Sequence, residues 1–429
     1  MSPARIRPSC SLFTCWHNFG FGKLVQFDSV LRYVEKTETC RLAPERGMKR
    51  WPEIDALRGL MLVLMTLTHL PTRFSAPFGQ PFGFVSAAEG FVFLSAFMAG
   101  YIFTRRATRD GMRAMRHAFL RRALKLYGYH VVMLVFLFTV IAAIGISTER
   151  QTIKNLISFF LQEPITAFCS SLLLIYNPPL LDILPMYVVF MVLSPWILMV
   201  GLRLSWTPII LASAAIWFCA QFGLEKEIYQ AISTAAGLKV PFHQTGAFDI
   251  LAWQLIWLLG LWMGAQTAGA SPPFQRLPGA LVAVALTIGT TGFLLRHVLG
   301  QAPFGSDTMF ATLISKWHLG PLRVINFLAL LVLILRFGQQ LKTVIQWRFL
   351  EILGAASLPV FCVHLIAALL ALAAIGDNQG STPLWVEAVL MAASFSAMYA
   401  TARMSQRRRL GRTAFTAGDG TAVNARIAR

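Results

Sequence analysis

From about residue 54 onward, apolar residues run in blocks of about 20, the length at which a helix covers the hydrocarbon of a bilayer. Short polar intervals with Gly, Pro or charged residues close each block. Ten blocks fit this length, at roughly 54–71, 84–103, 126–147, 184–202, 206–222, 248–266, 278–298, 321–338, 353–375 and 383–403. The pattern predicts an all-α, polytopic integral membrane protein with about ten transmembrane helices.

Two intervals are not ordinary loops. Between 104 and 125, Met112, Met115, Phe119, Ala123 and Leu126 recur at spacings of three and four, with basic residues on the other face. That predicts a helix lying at the inner interface, where lipid anchoring accounts for it more simply than substrate binding. From about 150 to 180 the chain is again apolar, but its charges and prolines predict a helix pair lying at the outer interface; a spanning reading stays open.

Residues 1–47 contain no run long enough to span. They also lack the basic start, apolar run and small-residue cleavage site of a signal peptide. Met48 opens "MKRWPEIDALRGL", a short basic lead into the first block. A natural start at Met48, with 1–47 as an upstream extension, is the expectation. N-terminal sequencing of native protein that began at Met1 would overturn it. The chain then divides into this extension, a transmembrane domain at 48–404 and a basic tail at 405–429.

Composition strengthens the membrane reading. Of the 429 residues, 56% are hydrophobic and only 13% charged, with a mean hydropathy of +0.60. The formal charge of +19 lies in loops and tail, so a nucleic-acid partner is excluded in favour of anionic lipid headgroups. The 104–125 interval holds eight basic residues (Arg105, Arg106, Arg109, Arg113, Arg116, Arg121, Arg122, Lys125) against Asp110. The tail is equally basic, and the alternate loops are poor in Lys and Arg. An N-in, C-in topology follows. The six cysteines form no CxxC pair and no Cys/His metal spacing, so they read as buried thiols, with no metal site.

Candidate chemistry begins in the first block, "EIDALRGLMLVLMTLTHLP", which starts at Glu53. Arg58 and His69 are eleven residues apart, about three full turns plus 20°, so both project from one face some 16 Å apart along the axis. Asp55 lies near that face, one turn before Arg58. Such a stripe points into protein or a wet cavity, because lipid penalises it. Snorkelling of Arg58 to the headgroups and an interfacial role for His69 are the structural alternatives.

The second block places Glu89 among apolar neighbours near Ser86 and Ser95, in the outer half, at a depth comparable to His69. A carboxylate there could orient an imidazole or bind a substrate hydroxyl. A helix-to-helix hydrogen bond is the alternative. Further along, "NPPLLDILPMY" sets Asp182 and Tyr187 at the mouth of the fourth block, as sugar ligands or as a helix start with a capping Asp. "SKWHLGPLRVINF" supplies Lys316, Trp317, His318 and Arg323, cations and an aromatic suited to a sugar or a carboxylated acyl group, although Trp at an interface is common in any case. His364 falls mid-membrane in "SLPVFCVHLIAALL". "GLWMG" from Gly260 is a GxxxG, which close helix packing explains. No P-loop, G-x-S-x-G elbow or H-E-x-x-H motif occurs, which argues against an ATP-driven pump, a serine hydrolase of that type and a zincin.

"RGLMLVLMTLTH" resembles the Arg–ten residues–His signature of the acyltransferase-3 group of membrane acyltransferases. With "EIDALRGL", "HLP", "EGFVFLSAFMAGY", "LDILPMY" and "SLPVFCVH", the stretch from about 50 to 400 resembles more narrowly the OpgC family, associated with succinylation of osmoregulated periplasmic glucans. The wider group carries an Arg-x-x-Arg motif at its third span; this chain has Arg122-x-x-Lys125. The resemblance implies a multi-pass O-acyltransferase of the bacterial inner membrane. Acyl-CoA, in particular succinyl-CoA, would be its donor substrate, a periplasmic glucan its acceptor, and no cofactor would be permanently bound. On that footing Arg58, Arg122 and Lys125 would meet the donor's phosphates, and His69, with Glu89 and Asp55, would form the catalytic set. Asp182, Tyr187, Lys316, Trp317, Arg323 and His364 would bind substrate. Direct transfer and an acyl-histidine intermediate are both compatible with these residues. A secondary transporter using the buried Arg, His and Glu is the competing class, although no internal repeat is evident. A non-catalytic scaffold would have no need of the Arg–His stripe.

Overall fold

The computed structural model describes residues 51–269, 277–301, 303, 309–345, 347–377 and 382–427. The extension at 1–47 and its proposed boundary at Met48 lie outside the described residues. Among those described there is no strand, and the fold is all-helical. Eleven helices organise it: α1 (Pro52–His69), α2 (Ala87–Phe136), α3 (Ile183–Arg203), α4 (Thr207–Ala220), α5 (Leu224–Ala236), α6 (Ile250–Ala268), α7 (Gly279–Leu299), α8 (Pro321–Ile345), α9 (Arg348–Ala355), α10 (Ser357–Ile375) and α11 (Leu384–Ile427).

Seven helices among the described residues are long and apolar enough to cross a membrane, and α4 with α5 forms an eighth only if that pair, bent by 80° at Gly223, is one span. The helix α1 is of spanning length, but Glu53, Asp55 and Arg58 in its first two turns set it apart from those seven. The outward faces of α7 and α11 are strongly apolar and largely exposed, for example at Leu281, Val284, Leu286, Val389 and Trp385. A bilayer removes the cost such a surface would carry in water.

The blocks at 84–103 and 126–147 and the interval between them form one helical run, Ala87–Ser147. Its dihedrals break only at Gly111 (φ 85°, ψ 165°) within α2. Phe103 and Phe119, eight residues to either side of Gly111, stack with ring centroids 3.8 Å apart. Along an unbroken helix they would lie about 24 Å apart, so the chain reverses at Gly111. The expected interfacial helix is therefore half of a hairpin. Its apolar stripe is buried as anticipated, but it packs on the preceding arm (Met115, Phe119, Ala123 and Leu126 are all buried). Glycine allows this left-handed turn without a Cβ clash.

The 150–180 stretch is also corrected. It forms three short helices, Gln151–Leu156, Ser158–Gln162 and Pro164–Leu172, rather than a pair. The breaks fall at Ile157 and at Glu163, whose successor Pro164 cannot continue a helix. Phe160 stacks on Phe138, and Arg150 Nη2 donates to the Ala374 carbonyl at 3.0 Å, which holds this layer on the end of α10.

Glycine governs the closest helix contacts. A Cβ on Gly264 would overlap the Phe97 carbonyl, and one on Gly100 would overlap the Leu261 carbonyl, so α6 and the first arm of α2 meet backbone to backbone. The GxxxG of α6 lies in this seam. In the same way α9 lies on the first turns of α1, with Gly354 against the Asp55 carbonyl and Gly59 against Leu350.

Candidate active site

Seven residues make two turns less 20°, so Ser357 and His364 project from one face of α10, as Arg58 and His69 do from α1. The two stripes meet. The Arg58 Nη2 donates to Ser357 Oγ, and His69 Nδ1 lies 3.1 Å from His364 Nε2. Their axial spans differ by about 6 Å, which the long arginine side chain takes up. The paired contacts set α1 and α10 side by side and parallel.

The imidazole planes lie within 16° of each other with centroids 5.4 Å apart, so the rings meet edge to edge through His69 Nδ1 and His364 Nε2, nearly coplanar. His364 is fully buried, and Phe361 packs edge-on against it at 4.8 Å. The Phe361 carbonyl one turn earlier lies near the His364 ring, and the buried His364 Nδ1 makes no hydrogen bond among the described residues. An N–H on that nitrogen leaves His364 Nε2 as an acceptor. His69 Nδ1 then carries the shared proton, and its Nε2 keeps a lone pair. Of the pair, only His69 is half-buried, and Lys316 lies within electrostatic reach of it.

Glu89 lies elsewhere in the network than expected. Its Oε1 accepts from Arg323 Nη1 at 2.5 Å, and its Oε2 accepts from the Ser86 backbone at 3.0 Å and from Ser86 Oγ. Both carboxylate oxygens are thus engaged, and the neighbour of His69 is His364 rather than Glu89. Arg323 is corrected likewise: it is 1% exposed, with Nε on the Ile314 carbonyl, so it fastens α2 to the 314–320 loop instead of facing a sugar. Asp55 is buried in the first turn of α1, about 21 Å along the axis from His69. That distance removes it from the imidazole.

Around the His69 end, Lys316 holds its ammonium 4.8 Å from the Trp317 ring centroid and 5.8 Å from that of Phe248. Burial lowers its pKa; Glu89 and Asp182 oppose that shift, while Arg323 adds to it. Burial pushes the Asp182 carboxyl up to about 6, against the hydrogen bond from Ala247 N (3.1 Å) and the charge of Lys316. Its side chain makes no cap on α3, so the capping alternative gives way to a bridge between the α3 entrance and the 240s loop. Trp317 is exposed, and its carbonyl accepts from Trp253 Nε1 at 3.1 Å. Tyr187 sits deeper than the mouth: it is buried, beside Ser95 and within the field of Arg58, with its ring against Phe91 and Trp257.

Arg122 and Lys125 are half-buried on the second arm of α2. Reflection about Gly111 brings them level with Gly100 and Phe97, and Trp51 at the start of α1 touches Phe97 and Tyr101. They therefore stand at the Arg58 end of the bundle. The sequence reading missed Ser357, although its seven-residue spacing from His364 was a usable signal. It also missed that His69 and His364 would meet, for which no local signal exists.

A family model described as OpgC protein matches residues 50–410. No curated protein and no solved structure matches the chain.

Proposed function

Because this chain belongs to the OpgC family and is a multi-pass membrane protein of acyltransferase type, we propose that it moves a succinyl group from cytoplasmic succinyl-CoA to a hydroxyl of a periplasmic glucan, in the bacterial inner membrane. The ends of the chain would face the cytoplasm. Ten passes would be reached from the seven apolar helices by counting both arms of the α2 hairpin, α1 and the bent α4–α5 pair.

The observation that carries the reading is the contact of His69 Nδ1 with His364 Nε2 at 3.1 Å, in a stripe that begins at Arg58. The free Nε2 of His69 takes the proton of a glucan hydroxyl as its oxygen attacks the thioester carbonyl. The C–S bond then breaks, and the departing CoA thiolate recovers the proton from His69. The products are the ester and free CoA. Lys316, with Asp182 beside it, supports the choice of a dicarboxylic acyl group, since its ammonium can meet the free carboxylate of succinyl. Arg58, Arg122 and Lys125 share the end at which an anionic donor would enter.

Purified protein in detergent, given labelled succinyl-CoA and a glucan, should transfer label, and His69→Ala should abolish transfer while eluting as native protein does. Full activity of that variant would refute the mechanism. Uptake of substrate into vesicles without acyl transfer would favour a transporter.

A further inference from the structure

A cavity of about 530 Å³ opens between α9 and α11, and the mechanism above makes no use of it. It lies at the end of the bundle where α1 begins. One face of α9 carries Leu350 and Gly354 onto α1. The opposite face of that helix turns Phe349 and Ile352 into the cavity. About one helix diameter, roughly 10 Å, therefore separates the cavity from the Arg58 flank of α1.

Two features of the walls belong together. Phe349 of α9 and Tyr399 of α11 stack with centroids 5.7 Å apart and an angle of 19°. Arg403 lies over the Tyr399 ring at 5.4 Å and donates from Nε to Tyr399 Oη at 3.0 Å. That anchor uses one of five guanidinium donors and leaves the Nη edge of the fork for an anion. Arg348 lines the same space, and no acid is among the lining residues. Arg407, one turn beyond Arg403 on the same face, extends the positive edge. The volume lies within the range, about 300–1,000 Å³, of small-ligand sites.

We propose that this cavity binds the phosphorylated nucleotide end of the acyl-CoA donor. The Phe349–Tyr399 pair offers an aromatic face to the base, and Arg348 and Arg403 take phosphate oxygens. The thioester arm then runs past Arg58 along the α1 stripe toward His69. This inference rests on the acyl-CoA reading and adds to it a docking site for the part of the donor that does not react. A lipid phosphate shares the arginine chemistry but brings no base to stack.

The test uses the full chain in detergent and adenosine 3′,5′-bisphosphate as probe, with binding measured by calorimetry. Arg348→Ala and Arg403→Ala should each weaken it at least 10-fold. Each should also raise KM for succinyl-CoA by a similar factor, the loss falling on KM rather than kcat. Both positions are exposed, and a monodisperse elution profile establishes folding; Arg403→Lys, which keeps the charge but loses the fork, should fall between. Unchanged probe affinity in both alanine variants would overturn the site while leaving acyl transfer intact. Displacement of the probe by phosphatidylglycerol at equimolar amounts would reassign the cavity to lipid. Native protein that neither binds the probe nor transfers label would bring down the acyl-CoA reading and this inference together.

Discussion

His69 Nδ1 stands 3.1 Å from His364 Nε2, across a sequence separation of 295 residues. With the shared proton on His69 Nδ1, the contact holds the rotation of the His69 ring and leaves its Nε2 as the base. A base that must present one lone pair toward a substrate needs both. Replacing His364 with Ala should therefore lower kcat for succinyl transfer by about 10²-fold or more, with KM for the donor near the native value. Gln at 364 can still accept from His69 Nδ1 through its amide oxygen, so His364→Gln should keep clearly more activity. Equal loss in the two variants would remove the tautomer argument.

Glu89 and Arg323 form an ion pair at 2.5 Å with side chains 0% and 1% exposed. Removing one partner strands the other charge in the interior, at a cost of about 3–5 kcal/mol. Glu89→Gln and Arg323→Met should each lower the unfolding temperature in detergent sharply. The double variant Glu89→Leu with Arg323→Met should recover much of the loss, because no buried charge remains. Singles as stable as the native protein would show that the pair is solvated.

The glycine seams separate two kinds of glycine. In Gly264→Ala and Gly354→Ala the new methyl would run into a backbone carbonyl of the neighbouring helix, Phe97 and Asp55 respectively. Backbone cannot swing aside, so a loss of about 1–3 kcal/mol is expected from forced helix separation. Gly128, within α2, has nothing within 4 Å of the corresponding position. There alanine should stabilise by about 0.4–1 kcal/mol through the unfolded chain. Thermal melts of the three variants side by side would check the contrast.

Asp182 supplies a pH dependence. Its carboxyl is raised from 3.8 to about 6 by burial, so the fold favours the neutral form. The associated stability is present in full below about pH 4 and is lost as pH rises through 6, a share of up to about 3 kcal/mol for two pH units. Asp182→Asn keeps an acceptor for Ala247 N and carries no charge. Its melting temperature, relative to native protein, should rise between pH 4.5 and 7.5. Parallel curves for the two proteins would show that Asp182 is solvated. Lys316→Met removes a nearby cation and should move the native transition to still higher pH.

Much of this protein is written locally. The lengths of the apolar blocks, the acidic first turn of α1 and the three-turn alignment of Arg58 with His69 depend on residues within one helix, so composition and a 3.6-residue period reveal them. The burial of Met115, Phe119 and Ala123 was legible for the same reason. The direction of the chain after Tyr101 was not. A basic amphipathic segment satisfies its apolar stripe equally well on lipid or on a neighbouring helix, and only the reversal at Gly111 with the Phe103–Phe119 stack decides for the helix. The partners of the charged residues were hidden likewise. Glu89 and His69 look like neighbours by depth alone, yet depth is one coordinate of three. Helix packing, set by glycine seams such as Gly59–Leu350 and Gly264–Phe97, brings Arg323 to Glu89 and His364 to His69. The sequence by itself determined which side chains must avoid lipid, because that cost is a property of each residue. Only the tertiary structure decided which of them meet, because pairing across hundreds of residues depends on how whole helices pack.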